Sequence, residues 1–278
     1  MDVTTNSKGA TGKHHADDHS GTRASLHRLI DLRNINHNET TAWLEDDFHH
    51  FGVSVHHQDG IVTDVQATAV RVPWTTCSGA TEKLRELIGQ PLVSRATDVG
   101  RYLKRRYQCV HLFDLAGLAS AFSHQPTAHR RYQAIVSDRP RPGYAKLREV
   151  TDLGQGRAQL LMDGQCIMDW QIDGEWITSP ATAAGYSTEQ GFRQWTETLP
   201  IEEAEHAFIL RRAIIVATGR QFDLDSYQTL ADMRLSEDCF SLQPEHCEEA
   251  TRCQGSTRDF AAAPETLLAH LRHPSRHK

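Results

Sequence analysis

Three Asp-Gly pairs constrain the fold of this chain more than any other feature of its sequence. Asp59-Gly60, Asp163-Gly164 and Asp173-Gly174 each separate two short runs that are rich in apolar residues. Asp-Gly is a typical two-residue hairpin turn, because glycine and, less readily, aspartate adopt positive φ angles. Each pair therefore predicts an antiparallel hairpin, and the last two together predict a meander of three strands.

The segments between the hairpins show helical periodicity. Apolar residues recur three and four positions apart after Cys77 and again after Cys109, which predicts a helix beginning at each cysteine. A further helix is predicted between Pro200 and Gly219, because proline is favoured in the first helical turn and glycine just beyond the last. We therefore predict an α+β fold. An antiparallel sheet would carry helices on one face in the N-terminal half, followed by a second antiparallel meander and further helices.

Composition divides the chain into three parts. Residues 1–22 contain almost no apolar side chains. They cannot offset the entropy lost on ordering, so we predict a disordered tail there. A polar stretch after Pro126 predicts a boundary. We assign residues 23–126 to an α+β subdomain that holds the cysteine and histidine motifs, and residues 127–278 to a subdomain of β-meander and helices.

The bulk properties exclude several classes of protein. Net charge is −6 over 278 residues and the basic residues are dispersed, which argues against a nucleic-acid-binding or membrane-binding surface. No apolar run reaches the roughly 20 residues needed to cross a bilayer, and we recognise no signal peptide. We expect a cytoplasmic protein, whose six cysteines are thiols or ligands rather than disulfides.

Cysteines and histidines near the predicted helix starts suggest a metal site. Cys77 and Cys109 each precede a helix, and His111 follows the second cysteine. Thiolates and imidazoles suit zinc or iron, with His49 or Asp47 as the fourth ligand. The alternative is that Cys109 is a buried core residue, as free cysteines usually are. His111 and the nearby Asp114 would then form a surface pair.

The same residues also suggest acid–base or thiol catalysis. A helix N-terminus lowers the pKa of a thiol, so Cys77 is a candidate nucleophile with His49 or His111 as its base. Arg71 lies on an apolar face of its strand and would complete the catalytic set. The alternative is that the residues around Cys77 only cap a helix.

Arg212 and Trp74 are the candidate substrate-binding residues. Arg212 falls on the apolar side of the helix predicted after Pro200, and a buried guanidinium needs an anionic partner. A carboxylated or otherwise anionic substrate would supply that partner. The alternative is an internal ion pair between Arg212 and Glu205.

Several motifs resemble a bacterial family of unknown function, DUF2889, over nearly the whole chain from Leu32 onward. The resemblance is carried by the motifs EDDFHH, RVPWTTCSGA, QCVHLFDLAGLA, LRRA and QGSTRDF. It implies no activity.

The order of elements in the N-terminal half also resembles the iron–sulfur cluster scaffold proteins of the IscU/NifU type. That resemblance implies a site in which Cys77 and Cys109 bind zinc or a nascent cluster. The position of the other family cysteine falls near Asp46 to His49, where this chain has none.

Two functions follow from these patterns. The first is a small-molecule enzyme of bacterial catabolism with a Cys/His site that contains His49, Arg71, Cys77, Cys109 and His111, with or without a metal. The second is a non-catalytic protein that handles metal or iron–sulfur clusters. A purely structural protein is a third reading. The expected partners are a small-molecule substrate and a second copy of the chain in a homodimer, with no nucleic acid and no membrane.

Overall fold

The computed structural model describes residues 24–139, 153–233, 235 and 239–272. The predicted disordered tail, residues 1–22, lies outside the described residues. Within them, eight strands form one antiparallel sheet in the order β4-β3-β2-β1-β5-β6-β7-β8. The strands are β1 (Ser25–Asn36), β2 (Glu39–Glu45), β3 (His50–Gln58), β4 (Ile61–Arg71), β5 (His129–Ser137), β6 (Gly156–Met162), β7 (Gln165–Asp173) and β8 (Trp176–Ser179).

The predicted hairpins are confirmed. At the β3–β4 turn Asp59 and Gly60 have φ angles of 51° and 78°, and Asp163 and Gly164 repeat this geometry between β6 and β7. Positive φ at both central residues matches the right-handed twist of the flanking strands. Gly174 likewise has a positive φ, between β7 and β8.

Pairing of β1 with β5 makes the two halves of the chain one sheet. Their register runs from Ser25 opposite Ser137 to Arg33 opposite His129. The α+β class is confirmed, and the predicted second meander continues the first sheet on the other side of β1. The boundary predicted after Pro126 lies between the last helix of the first half and β5, so the two predicted subdomains share a sheet.

Helices cover one face of this sheet. They are α1 (Val110–Phe122), α2 (Phe192–Thr196), α3 (Ile201–Ala217) and α4 (Pro244–Cys247). Helix α1 packs on β1, β2 and β3, whereas α3 packs on β1, β5 and β6. Because both are largely buried, most side chains of α1 and α3 are apolar around the helix.

The segment that follows Cys77 differs from its prediction. A helix was expected there, and residues Thr75–Leu87 form a 3₁₀ helix that begins after Trp74. Shorter 3₁₀ segments at Ala96–Arg101 and Arg105–Tyr107 lead to α1. None of the helices in the described part of the chain combines the length and apolarity needed to cross a lipid bilayer.

Candidate functional site

A cavity of about 270 Å³ brings together most of the residues that the sequence singled out. It lies between the loop before β3, the start of the 3₁₀ helix after β4, the start of α1 and the second half of α3. Its polar lining consists mainly of two histidines, three cysteines, a tryptophan and an arginine: His49, His111, Cys77, Cys109, Cys239, Trp74 and Arg212. The remaining wall is mostly apolar, as is usual for small-molecule sites.

The buried carboxylate of Asp46 organises one wall of this cavity. Its Oδ1 accepts hydrogen bonds from the backbone N–H groups of Phe48 and His49, at 2.9 and 2.8 Å. Its Oδ2 accepts from the guanidinium of Arg28, a residue of β1 that is only 1% exposed. Burial by itself would raise the pKa of Asp46, but the charges of His49 and Arg28 outweigh burial and hold that pKa below its usual range. Asp46 is therefore ionised.

The ionised Asp46 determines the tautomer of His49. Nδ1 of His49 lies 3.0 Å from Oδ1 of Asp46. A carboxylate can only accept hydrogen bonds, so Nδ1 carries a proton, and in the neutral ring Nε2 has the free lone pair. The neutral form of His49 therefore presents Nε2 as a general base would.

Arg28 determines the opposite tautomer for His111. Nη2 of Arg28 lies 3.2 Å from Nδ1 of His111. A guanidinium can only donate, so Nδ1 of His111 accepts and Nε2 carries the proton. Burial, followed by the charges of His49 and Arg28, lowers the pKa of His111 well below its usual value. At neutral pH His111 is thus a neutral hydrogen-bond donor through Nε2.

The two imidazoles lie side by side. Their ring centroids are 3.9 Å apart, and Phe51 of β3 stacks near both rings at about 6.0 Å. His111 is 7% exposed, so the surface pair with Asp114 that was the alternative interpretation is wrong. Asp114 instead forms a two-bond ion pair with Arg212 of α3, at 2.6 and 3.4 Å. Arg212 is thus paired within the chain, as the alternative expected, but its partner is Asp114 and the predicted partner Glu205 is wrong.

The thiols of Cys77 and Cys109 are protonated rather than activated. Burial raises the pKa of Cys77 to about 12 and raises the pKa of Cys109 further. The expected lowering of the Cys77 pKa is therefore wrong. Desolvation of the buried sulfur outweighs any stabilisation at this 3₁₀ terminus, where Ser241 Oγ supplies one hydrogen bond at 3.4 Å.

Cys239 joins the cavity from the C-terminal half of the chain. The backbone N–H of Phe240 donates to the carbonyl oxygen of Gln108 at 3.0 Å, which brings Cys239 towards Cys109. No local motif marks Cys239, because 129 residues separate it from Cys109. It supplies a third cysteine near Cys77 and Cys109.

These donors do not form a metal-binding arrangement as they stand. Across the described residues no group of three or more His, Cys, Asp or Glu side chains is placed to hold a metal ion. All six cysteines are thiols. A cation in this cavity would have to displace the thiol protons of Cys77 and Cys109 and reorient the side chains.

Two residues assigned to the site from the sequence lie outside this cavity. Arg71 donates to the carbonyl oxygens of Asp46 and His49 and to Glu45, so it fastens the loop that carries the acid–histidine pair. Asp47 points the other way. It pairs with Arg220, accepts from the backbone of the C-terminal segment, and has a pKa that burial raises to about 6.

Sequence reasoning did not assign a role to Asp46 or Arg28, the two residues that orient the histidines. Asp46 lies in the quoted EDDFHH motif, three positions before His49, so its spacing could have identified it. Arg28 has no such local pattern, because its partners lie on other elements.

Comparison with known proteins shows a similarity to one protein family, for which no activity is known. Residues 22–125 match the model of a protein family of unknown function, DUF2889. The matched region contains the Asp46 loop, both histidines, Cys77 and Cys109. No curated protein matches the chain significantly. The resemblance to iron–sulfur scaffold proteins therefore stays a prediction.

Proposed function

We propose that this protein is an enzyme that transfers protons on a small carboxylated organic substrate bound beside His49 and His111. The observation that carries the proposal is the pair of adjacent imidazoles with opposite tautomers. One presents a basic Nε2 and the other an Nε2–H donor. Such a pair can remove a proton from carbon or oxygen while stabilising the developing negative charge on a neighbouring oxygen.

The cavity supports a small anionic substrate. Its volume of about 270 Å³ suits a compact metabolite, and its mostly apolar walls exclude bulk water. Arg212 uses Nε and Nη2 for Asp114, which leaves Nη1 to hold a substrate carboxylate. Trp74 contributes an aromatic surface to the same wall.

In this proposal the reaction depends on the imidazoles and not on a thiolate. His49 takes the substrate proton at Nε2, and Asp46 stabilises the imidazolium that forms. His111 donates from Nε2 to the substrate oxygen, and Arg28 holds its ring in that orientation. Cys77 and Cys109 stay neutral and form part of the wall. Arg71 acts as a positioning residue for the loop.

Exchange of substrate hydrogen for deuterium tests this proposal. We would incubate the full chain in D₂O with a panel of 2-oxo and 3-oxo carboxylates and follow loss of the α C–H signal by ¹H NMR. Wild-type protein should catalyse exchange for one compound class. His49→Gln should slow exchange by about 10²–10⁴-fold, the usual contribution of a general base.

Two variants control this experiment. His56→Gln changes a histidine of β3 that is outside the cavity lining, and it should keep the wild-type rate. Cys77→Ser should also keep most of the activity, whereas a nucleophilic Cys77 would lose it. Exchange by His49→Gln at the wild-type rate, in a variant that unfolds at the wild-type temperature, would refute the proposal.

A metal- or iron–sulfur-handling protein is the second candidate, because Cys239 brings a third thiol to Cys77 and Cys109. Elemental analysis and a visible spectrum of freshly purified, untagged protein distinguish the candidates. About one zinc or iron per chain, lost in Cys77→Ser, would favour metal handling. Metal-free protein would leave the acid–base enzyme.

A further inference from the structure

A second, smaller cavity lies between the sheet and the pair of helices α1 and α3. Its volume is about 50 Å³, and Arg212 separates it from the cavity of the two histidines because that side chain lines both. Aliphatic side chains from β1, β2, α1 and α3 make most of its wall: Ile30, Leu44, Leu115, Leu118 and Ile209. It adjoins a wider surface pocket of about 380 Å³ that shares Thr97, Phe113 and Phe208 with it.

Two arginines in this wall have buried nitrogens without a partner. Nη1 of Arg95 is inaccessible to solvent and has no hydrogen bond in the described structure. Nε of Arg28 is also buried and has no hydrogen-bond partner, although Nη1 and Nη2 of the same guanidinium bind Asp46 and His111. Buried donors normally find an acceptor, and a guanidinium cannot lose its proton to avoid the cost. Both side chains line this one apolar cavity.

Of the four arginines in the cavity wall, three form ion pairs with acidic residues, which leaves one positive charge unpaired in the part of the chain that the structure describes. Arg28 is neutralised by Asp46 and Arg212 by Asp114. Arg211, a third arginine of the wall, is paired with Glu189.

Arg95 has no ion pair among the described residues. Glu205, the second acid of the wall, has a pKa that burial raises to about 7, so a proton neutralises part of its charge. A ligand with one negative charge would neutralise Arg95. A ligand with two negative charges would also be repelled by the nearby carboxylates of Asp114 and Glu205.

We propose that this cavity binds a monocarboxylate with a short unbranched apolar chain, held at its carboxylate by Arg95 and Arg28. Guanidinium N–H groups recognise the two oxygens of a carboxylate, and a chamber of only about 50 Å³ favours a straight alkyl chain over a ring. A volume near 50 Å³ corresponds to a few non-hydrogen atoms. Longer chains extend into the adjoining pocket. The site does not depend on the proposed proton transfer, because neither His49 nor His111 lines it.

Calorimetric titration of the full chain with butyrate and hexanoate tests the site. Saturable binding of both acids is expected, with none for 1-butanol, which lacks the charge, or for inorganic sulfate, which is a dianion. Arg95→Gln should weaken hexanoate binding at least tenfold. Arg101→Gln is the matched control, since Arg101 ends the 3₁₀ segment that Arg95 precedes but is exposed and paired with Asp98. It should bind as the wild type does.

A cavity-filling variant and a histidine variant complete the experiment. Ala204→Leu adds carbon atoms inside the chamber, where Ala204 lies on the wall. It should abolish binding even if Arg95→Gln fails to fold.

His49→Gln should bind hexanoate normally, so failure of this site is distinguishable from failure of the proposed activity. Equal affinity for hexanoate and 1-hexanol, or unchanged affinity in both Arg95→Gln and Ala204→Leu, would overturn the proposal.

Discussion

At the scale of single residues, Asp46 has the widest influence on the candidate site. One carboxylate accepts two backbone N–H groups, the Nδ1–H of His49 and the guanidinium of Arg28. Arg28 in turn donates a second hydrogen bond, from Nη2 to Nδ1 of His111. The hydrogen-bonding roles of both Nδ1 atoms therefore follow from a single buried charge, because each hydrogen bond leaves only one role for the next group.

Glu205 makes the stability of the fold depend on pH. Burial raises the pKa of Glu205 to about 7 from an ordinary value of 4.5, although Tyr132 donates a hydrogen bond to it at 3.2 Å. Between these two pH values the unfolded chain releases a proton that the folded chain keeps. Stability contributed by this group is therefore full below pH 4.5 and is lost as pH rises through about 7.

The substitution Glu205→Gln should remove this loss of stability with rising pH. Compared with this variant, the wild type should lose about 3 kcal/mol of unfolding free energy between pH 4.5 and pH 7.5, since one pKa unit corresponds to about 1.4 kcal/mol. Urea unfolding at a series of pH values measures the difference. Glu203→Gln, an exposed position of the same helix, should show the wild-type pH profile. Parallel profiles for wild type and Glu205→Gln would contradict this assignment.

At the scale of elements, close packing of α1 against the 3₁₀ segment Ala96–Arg101 positions one wall of the smaller cavity. Gly117 of α1 faces the carbonyl oxygen of Ala96, and a Cβ there would lie 2.2 Å from that oxygen. Only glycine permits this approach, although it is a poor helix former. The contact places Arg95 and Thr97 against the chamber between α1 and α3.

Gly117→Ala should therefore destabilise the protein despite its better helix propensity. The clash is with backbone, so either α1 or the segment Ala96–Arg101 must move, at a cost of about 1–3 kcal/mol typical of overpacking. Urea unfolding would measure this cost. Gly100→Ala is a suitable control, because its Cβ would meet only Phe113 at an ordinary 3.5 Å. A Gly117→Ala variant as stable as Gly100→Ala would refute the role given to this contact.

At the scale of the whole molecule, β1 joins the two halves of the chain. It pairs with β2 on one side and with β5 on the other, and α3 from the second half lies over it. The region that matches DUF2889, residues 22–125, lacks β5, α3 and the segment that carries Cys239. Taken alone it would expose an unpaired central strand and the α3-facing side of α1.

We expect a fragment of residues 22–125 not to fold cooperatively. Near-UV circular dichroism and urea unfolding should show a broad transition without fixed tertiary packing, while the full chain gives a single sharp transition. A fragment with a native-like near-UV spectrum and a sharp transition would instead support the two separate subdomains predicted from composition.

Features that depend on residues close together in the sequence were predictable, and features that depend on contacts between distant residues were not. The hairpin at Asp59-Gly60 and the limits of α3 were predictable, because turn geometry and helix ends depend on residues within a few positions. His111 and Cys109 were identified as neighbours for the same reason. The pairing of Arg212 was not predictable, since the choice between Glu205 and Asp114 depends on how α3 packs against α1.

The sequence by itself determined the α+β class, the antiparallel hairpins and the set of cysteines and histidines from which the candidate site is built. Those features rest on local backbone preferences and on the periodicity of apolar residues. Only the tertiary structure decided that Arg28 and Asp46 orient the two histidines, that Cys239 reaches the same cavity, and that Asp47 and Arg71 turn away from it. It also decided that the thiols stay protonated, because desolvation depends on burial by distant parts of the chain.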